Sequence, residues 1–121
     1  SKDILLKELS SLKRLASSLA RMSAIFEVLI TRVETIALLS VTSKDLITIK
    51  YVIQELKRDS INIPELSIII EDIEDKVNDL MNYTRGGFNN SNLSIIASQE
   101  AMKIINEANE IADMRLKELN I

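Results

Sequence analysis

The sequence predicts an all-α fold, an elongated helical bundle or hairpin with one long N-terminal helix and three shorter helices. Three observations carry that prediction. The 121 residues include only two Gly and one Pro, and none of these precedes Pro64. Hydrophobic residues make up 46% of the chain but aromatics only 3%, a Leu/Ile/Ala-rich balance that suits helices better than sheet sandwiches. Ile is abundant, yet the apolar residues recur every three or four positions, and this period outranks the strand preference of a β-branched side chain.

The first element is the longest. Leu5, Leu9, Leu12, Ala16, Leu19, Phe26, Ile30, Val33 and Ala37 follow a 4-3-4-3 rhythm broken only at Ser23. Leu15, Met22, Leu29 and Ile36 form a second column at seven-residue intervals. Together they predict one amphipathic helix ending near Ser40, about 55 Å long at 1.5 Å per residue. Over residues 24–30 only Glu27 is polar, and a helix that is apolar almost all round is covered from more than one side. The second and third helices are expected to cover one side. Another subunit, or an element outside this sequence, is expected on the other. Met22, Ile25, Phe26, Leu29, Ile30 and Val33 are therefore candidate self-assembly residues.

Thr42 to Asp45 has the form of a capping box, a hydroxyl at the N-cap and a carboxylate three residues on. The second helix that it opens has Leu46, Ile49, Ile53 and Leu56 on one face, with Lys57 and Arg58 near its negative end. Residues 59–63 form a short connector. Pro64 then sits where a helix begins, with Glu65 beside it near the positive end of the dipole. The third helix runs to about Tyr83 with Leu66, Ile70, Ile73, Val77 and Leu80 as its stripe, widened by Ile69 and Met81. Gly86 and Gly87 supply a left-handed C-cap, and residues 88–92 a polar loop. The last helix spans 94–119, with Ala97, Ala101, Ile104, Ala108 and Ile111 in one column and Ile105, Ala112, Leu116 and Leu119 beside it. The organisation is a helical core over 1–84, a flexible linker over 85–93 and a C-terminal regulatory helix over 94–121.

Composition excludes several chemistries. With no Cys and no His there is no disulfide, zinc–thiolate site or imidazole acid–base catalysis. No apolar run reaches 18 residues, so no segment of the sequence spans a bilayer, and no secretory signal is present. The chain opens on Ser rather than Met, which reads as part of a longer protein whose ends hold any targeting information. Residues 1–58 carry ten Lys/Arg and six Asp/Glu, residues 59–121 five and twelve. Opposite-sign halves of this kind pair within one molecule or between neighbours in a polymer, or are simply solvated helix surface. Lys13, Arg14, Arg21 and Arg32 are the candidate cationic contacts for Glu71, Asp72, Glu74, Asp75 and Asp79.

Those five acidic residues are the one concentration of potential chemistry. Carboxylates three and four apart share a helix face, as in dimetal bundles, but such sites also take His ligands and this chain has none. A solvated or protein-docking face is the expectation, without metal or cofactor. Arg85-Gly86-Gly87 has the form of a single RGG motif, but at a helix end it reads as a cap, and no dense basic patch with interleaved aromatics accompanies it. Nucleic acid is not an expected partner. The Ser10-Ser11 and Ser17-Ser18 pairs have no base beside them and read as polar helix surface. No catalytic residue is assigned, and the chain is not expected to be an enzyme.

The order of elements (long helix, short helix, acidic helix, polar break, Ala-rich helix) resembles that of the ESCRT-III fold. Glu8-Leu9-Ser10-Ser11-Leu12-Lys13-Arg14-Leu15 resembles the second core helix of the archaeal Cdv cell-division branch of that family. Glu27-Val28-Leu29-Ile30-Thr31-Arg32-Val33-Glu34-Thr35-Ile36 resembles the end of the same helix, and Glu100-Ala101-Met102-Lys103-Ile104-Ile105 with Ala108 the fifth helix. The likeness covers most of the chain. It implies a filament-forming, membrane-remodelling subunit of archaeal cell division, cytoplasmic and peripheral to the inner face of the cell membrane at division sites. Implied partners are copies of itself, sister ESCRT-III subunits, an AAA-type ATPase acting through a segment not found here, and membrane. It also implies that Ala101, Ile104, Ile105, Ala108 and Ile111 form an autoinhibitory face, folded back on the core in the closed state. The family's basic first helix has no counterpart beyond the residues before Leu5, and no Pro-rich ATPase-binding motif or winged-helix tail follows Leu119. Membrane and ATPase contact are therefore expected of the full-length protein. The competing expectation is a stand-alone helical-bundle adaptor or regulator that binds a partner helix in the groove of the first helix.

Overall fold

A computed structural model of the chain describes residues 1–37, 41–83 and 91–120. Among these residues the protein is all-helical, with α1 over Lys2–Ala37, α2 over Ser43–Asp59, α3 over Pro64–Tyr83 and α4 over Ser91–Glu118. At 36 residues α1 is about 54 Å long, roughly twice α2.

The capping box that opens α2 is present in full. The Asp45 backbone N–H donates to Thr42 Oγ1 at 3.3 Å, and the Thr42 N–H donates back to Asp45 Oδ2 at 2.9 Å. Two N-terminal donors without helical partners are thereby satisfied. α2 ends at Ser60, whose N–H donates to the Leu56 carbonyl and whose hydroxyl donates to that of Lys57. Ser67 on α3 donates to the Ser60 carbonyl at 3.3 Å, and the two serine hydroxyls lie 3.2 Å apart, so the turn is stapled from both sides. The Ile63 carbonyl takes the first helical bonds of α3, from Leu66 and Ser67, and Pro64 occupies the first helical position, where its missing N–H costs nothing.

α2 is the central element. It packs on α1, α3 and α4, and α4 packs on both α1 and α2. That position explains why its buried face is wider than a single stripe: Ile47, Thr48 and Val52 are buried along with Leu46, Ile53 and Leu56, and Ile49 is only half-buried. α3 touches α2 alone, so its stripe is narrower than its sequence predicts. Ile70 and Val77 are buried, Leu66, Ile73 and Met81 half-buried, and Ile69 and Leu80 exposed. One core joins all four helices, with Met22, Ile25, Val52, Leu56, Ile70, Val77, Ala101 and Ile104 among its members, so the segments 1–84 and 94–121 share it.

α4 begins at Ser91, three residues before the expected 94, because no Gly or Pro separates the two positions and polar Ser and Asn are at home in a first turn. It stops at Glu118, one residue before Leu119. Asn120 adopts a left-handed φ of 58°, and its N–H closes onto the Lys117 carbonyl at 3.0 Å. Asn is the residue other than Gly that most readily takes that conformation. The last three positions of the expected linker are thus helical. The rest of that linker, the Gly86–Gly87 cap and the end of α1 near Ser40 lie outside the described residues.

Candidate assembly surface

α1 carries two faces with different fates. Met22, Ala24, Ile25 and Val28 are buried, Ile25 completely, beneath α2 and α4. The 4-3-4-3 column lies away from them. At 100° per residue its members fall within about 120° of the helix circumference, and the chain buries none of those described. Leu5 is 65% exposed, Leu12 62% and Ile30 55%, Leu9, Leu19 and Val33 are also exposed, and Ala16 and Phe26 are half-buried. Ser23, at the break in the rhythm, is exposed as well. Residues 1–15 are exposed on every side and form an arm beyond the body, which adds Ile4, Leu6 and Leu15 to the uncovered apolar surface.

Of the six candidate self-assembly residues, Ile30 and Val33 lie on this open face, and Phe26 and Leu29 lean against the core from its rim. Met22 and Ile25 are buried in the interior. Within the stretch 24–30, α2 and α4 of the same chain cover Ala24, Ile25 and Val28, while Ile30 stays open. α3 does not reach α1 because α2 stands between them. The sequence column already contained Leu5, Leu9, Leu12 and Leu19, and helix lengths were the signal that they stay uncovered. Helices of 17, 20 and 28 residues folding back from the C-terminal end of a 36-residue helix run out before its N-terminus.

The charges pair by neighbourhood. Arg21 donates to Asp59 Oδ1 through Nη2 at 3.0 Å and Nε at 3.3 Å, holding α1 to the end of α2. Arg32 lies 3.7 Å from Glu100 and 3.9 Å from Glu107 on α4. Glu74 accepts from Lys57 at 3.1 Å, and Asp72 pairs with Lys76 one turn on. Thus neither Arg21 nor Arg32 meets the acidic helix within the molecule, since α1 and α3 are not neighbours. Lys13 and Arg14 on the arm, and Glu71, Asp75 and Asp79 on α3, are exposed. Among the described residues no group of His, Cys, Asp or Glu is arranged to hold a metal ion, and no helix is long and apolar enough to cross a membrane.

The candidate autoinhibitory face is docked. Ala101, Ile104, Ile105 and Ala108 are buried and Ile111 half-buried, with α4 resting on α1 and α2. Ala97, Ala101, Ala108 and Ala112 let its backbone come close, and an ion pair between Arg115 and Glu27 closes the contact at its far end. Where the arm leaves the body, Ser11, Arg14 and Ser18 of α1 face Asp59, Asn62 and Ile63 across a cleft of about 450 Å³. No family model matches the chain, and neither the curated proteins nor the solved structures provide a match.

Proposed function

We propose that this chain is a filament-forming subunit of the ESCRT-III type, remodelling membrane in archaeal cell division. The observation that carries the reading is the open face of α1, apolar from Leu5 to Val33 except at Ser23, of which the chain's own helices fully bury no described residue. A monomer rarely keeps so long an apolar strip wet, and a strip along one helix is the geometry by which helical subunits join end over end or side by side. The docked α4 supports the same reading, because the resemblance implies a closed state with the last helix folded back on the core. Sister subunits, an AAA-type ATPase and membrane are the partners that the reading assigns to the full-length protein.

Electron microscopy of the full-length protein with and without anionic liposomes tests it. Filaments or coated, deformed vesicles that appear above a threshold concentration are the expected result. A finite complex with a foreign helix, and no polymer at any concentration, would transfer the same surface to the adaptor reading.

A further inference from the structure

Between Leu12 and Phe26 the open face of α1 alternates in size, and the alternation selects both the partner and its direction. Reading C-terminally from Leu12, the positions are large, small at Ala16, large at Leu19, small at Ser23 and largest at Phe26. In a parallel, in-register pair each residue meets its own copy. Ala16 and Ser23 would then each face a gap, and Phe26 would press on Phe26. In an antiparallel pair with its two-fold axis beside Arg21, Ala16 faces Phe26 of the second copy and Ser23 faces Leu19. Leu12 then faces Ile30, and Leu9 faces Val33. Small residues meet large ones and aliphatics meet aliphatics, the condition for filling a core without voids or overlap.

Charge points the same way. In the heptad frame set by Leu5 and Leu9, Lys13 and Glu27 both occupy the flank that faces its own equivalent across an antiparallel pair. Lys13 of one copy therefore comes beside Glu27 of the other. Glu27 gives its Oε2 to Arg115, which leaves Oε1 for the second copy. Residues 1–22 carry five cations and two anions, whereas residues 23–37 carry Glu27 and Glu34 against Arg32. The antiparallel arrangement lays the positive half over the negative one, and a parallel arrangement sets like on like. The strip is about 42 Å long and 10 Å wide. Side-chain relief brings the buried surface to roughly 1,200 Å² in total, the lower end for a specific contact.

We infer that α1 binds α1 of a second copy as an antiparallel two-stranded coil, with Ala16 of each copy seated against Phe26 of the other. The inference rests on the assembly reading, for which this dimer is the repeating unit. Both arms then lie along the partner's body, and no part of the apolar strip stays wet.

The chain has no Cys, so single cysteines report direction cleanly. Leu12→Cys and Ile30→Cys replace side chains that are exposed and outside the core. On mild oxidation the two variants mixed should form a disulfide dimer, and neither should do so alone at comparable yield, since a disulfide needs Cα atoms within about 7 Å. Equal or greater dimer from either variant alone, or none from the mixture, overturns the inference. Leu12→Asp should keep its helical circular dichroism and weaken dimerisation at least about tenfold by sedimentation equilibrium. Unchanged affinity overturns the inference too. Filaments that form without the mixed disulfide reject the antiparallel unit and leave the ESCRT-III reading standing. Mixed disulfide dimers that never polymerise on liposomes do the reverse.

Discussion

Arg115 Nη2 lies 2.7 Å from Glu27 Oε2, tying the last turn of α4 to the C-terminal third of α1. Both side chains are about half exposed, as is Arg32, which reaches towards Glu100 and Glu107 further along the same contact. The ion pairs rim an interface whose centre is apolar and closely approached at Ala101 and Ala108. Apolar contact holds α4 down, and the charges fix where along α1 it sits.

Arg115→Ala should therefore be mild. A half-exposed pair contributes ~0.2–1 kcal/mol, and the loss should shrink in half-molar salt, where the pair is screened in the parent as well. Thermal melts of the two proteins at low and high salt measure both effects. A deficit that persists undiminished at high salt would assign Arg115 a packing role.

Ala108→Leu should cost far more, although it adds apolar atoms. Ala108 is fully buried between helices, and added methylenes at a close-packed contact cost about 1–3 kcal/mol. The exposed Met102 on the same helix, changed to Leu, should stay within about 0.5 kcal/mol of the parent. Denaturant titration with a helical readout separates the two variants.

Thr42→Ala removes both side-chain bonds of the Thr42 hydroxyl, to the Asp45 backbone and to its carboxylate. Loss of an N-cap costs about 1 kcal/mol, and Thr42→Ser should recover most of it. Midpoints of urea unfolding compare the three proteins; an Ala variant as stable as the parent would mean that water caps α2 equally well.

Legibility in the sequence followed the range of the interactions. The Thr42–Asp45 box and Pro64 were readable because each acts within one turn, and both helix starts fall where those residues put them. The seven-residue columns of α1 were readable too, but periodicity gives faces and not their neighbours. It showed two apolar columns, and only the three-dimensional arrangement decides that Met22 goes inside while Leu12 and Ile30 stay outside. Ser60 carried no sequence signal at all. It is buried because the α2–α3 turn folds Ser67 onto it, a contact between two elements that no single-helix pattern contains. Within the molecule Arg21 and Arg32 pair with α2 and α4 instead of the acidic helix, and net charge by segment carries no signal of which segments are neighbours.

Self-association should weaken as salt rises. Lys13 and Arg14 are exposed on the arm, and Glu71, Asp75 and Asp79 are exposed on α3. Contacts between copies that use them are screened beyond about 10 Å at 0.1 M salt. Sedimentation velocity at about 50 mM and 500 mM salt reads the change. Tightening at high salt would mean that apolar contact alone governs association.

Ile104→Glu should release α4 in the full-length protein. Ile104 is almost fully buried, and an unpaired carboxylate there costs several kcal/mol unless the helix lifts away. With the core still helical by circular dichroism, light scattering should show a shorter lag before filaments form. An unchanged or longer lag would reject an autoinhibitory role for α4.

The free arm of α1 is also a pointer. The body grips the helix from about Ala16 onward, and the tip at Lys2 stands about 21 Å beyond that grip. A rigid rod held at one end magnifies what happens at its base, so a 10° tilt there carries the tip through roughly 4 Å, about two-thirds of the pitch of a helical turn. Adjustments at Arg21 and Asp59 too small to disturb the core are therefore magnified into large displacements at the tip of α1.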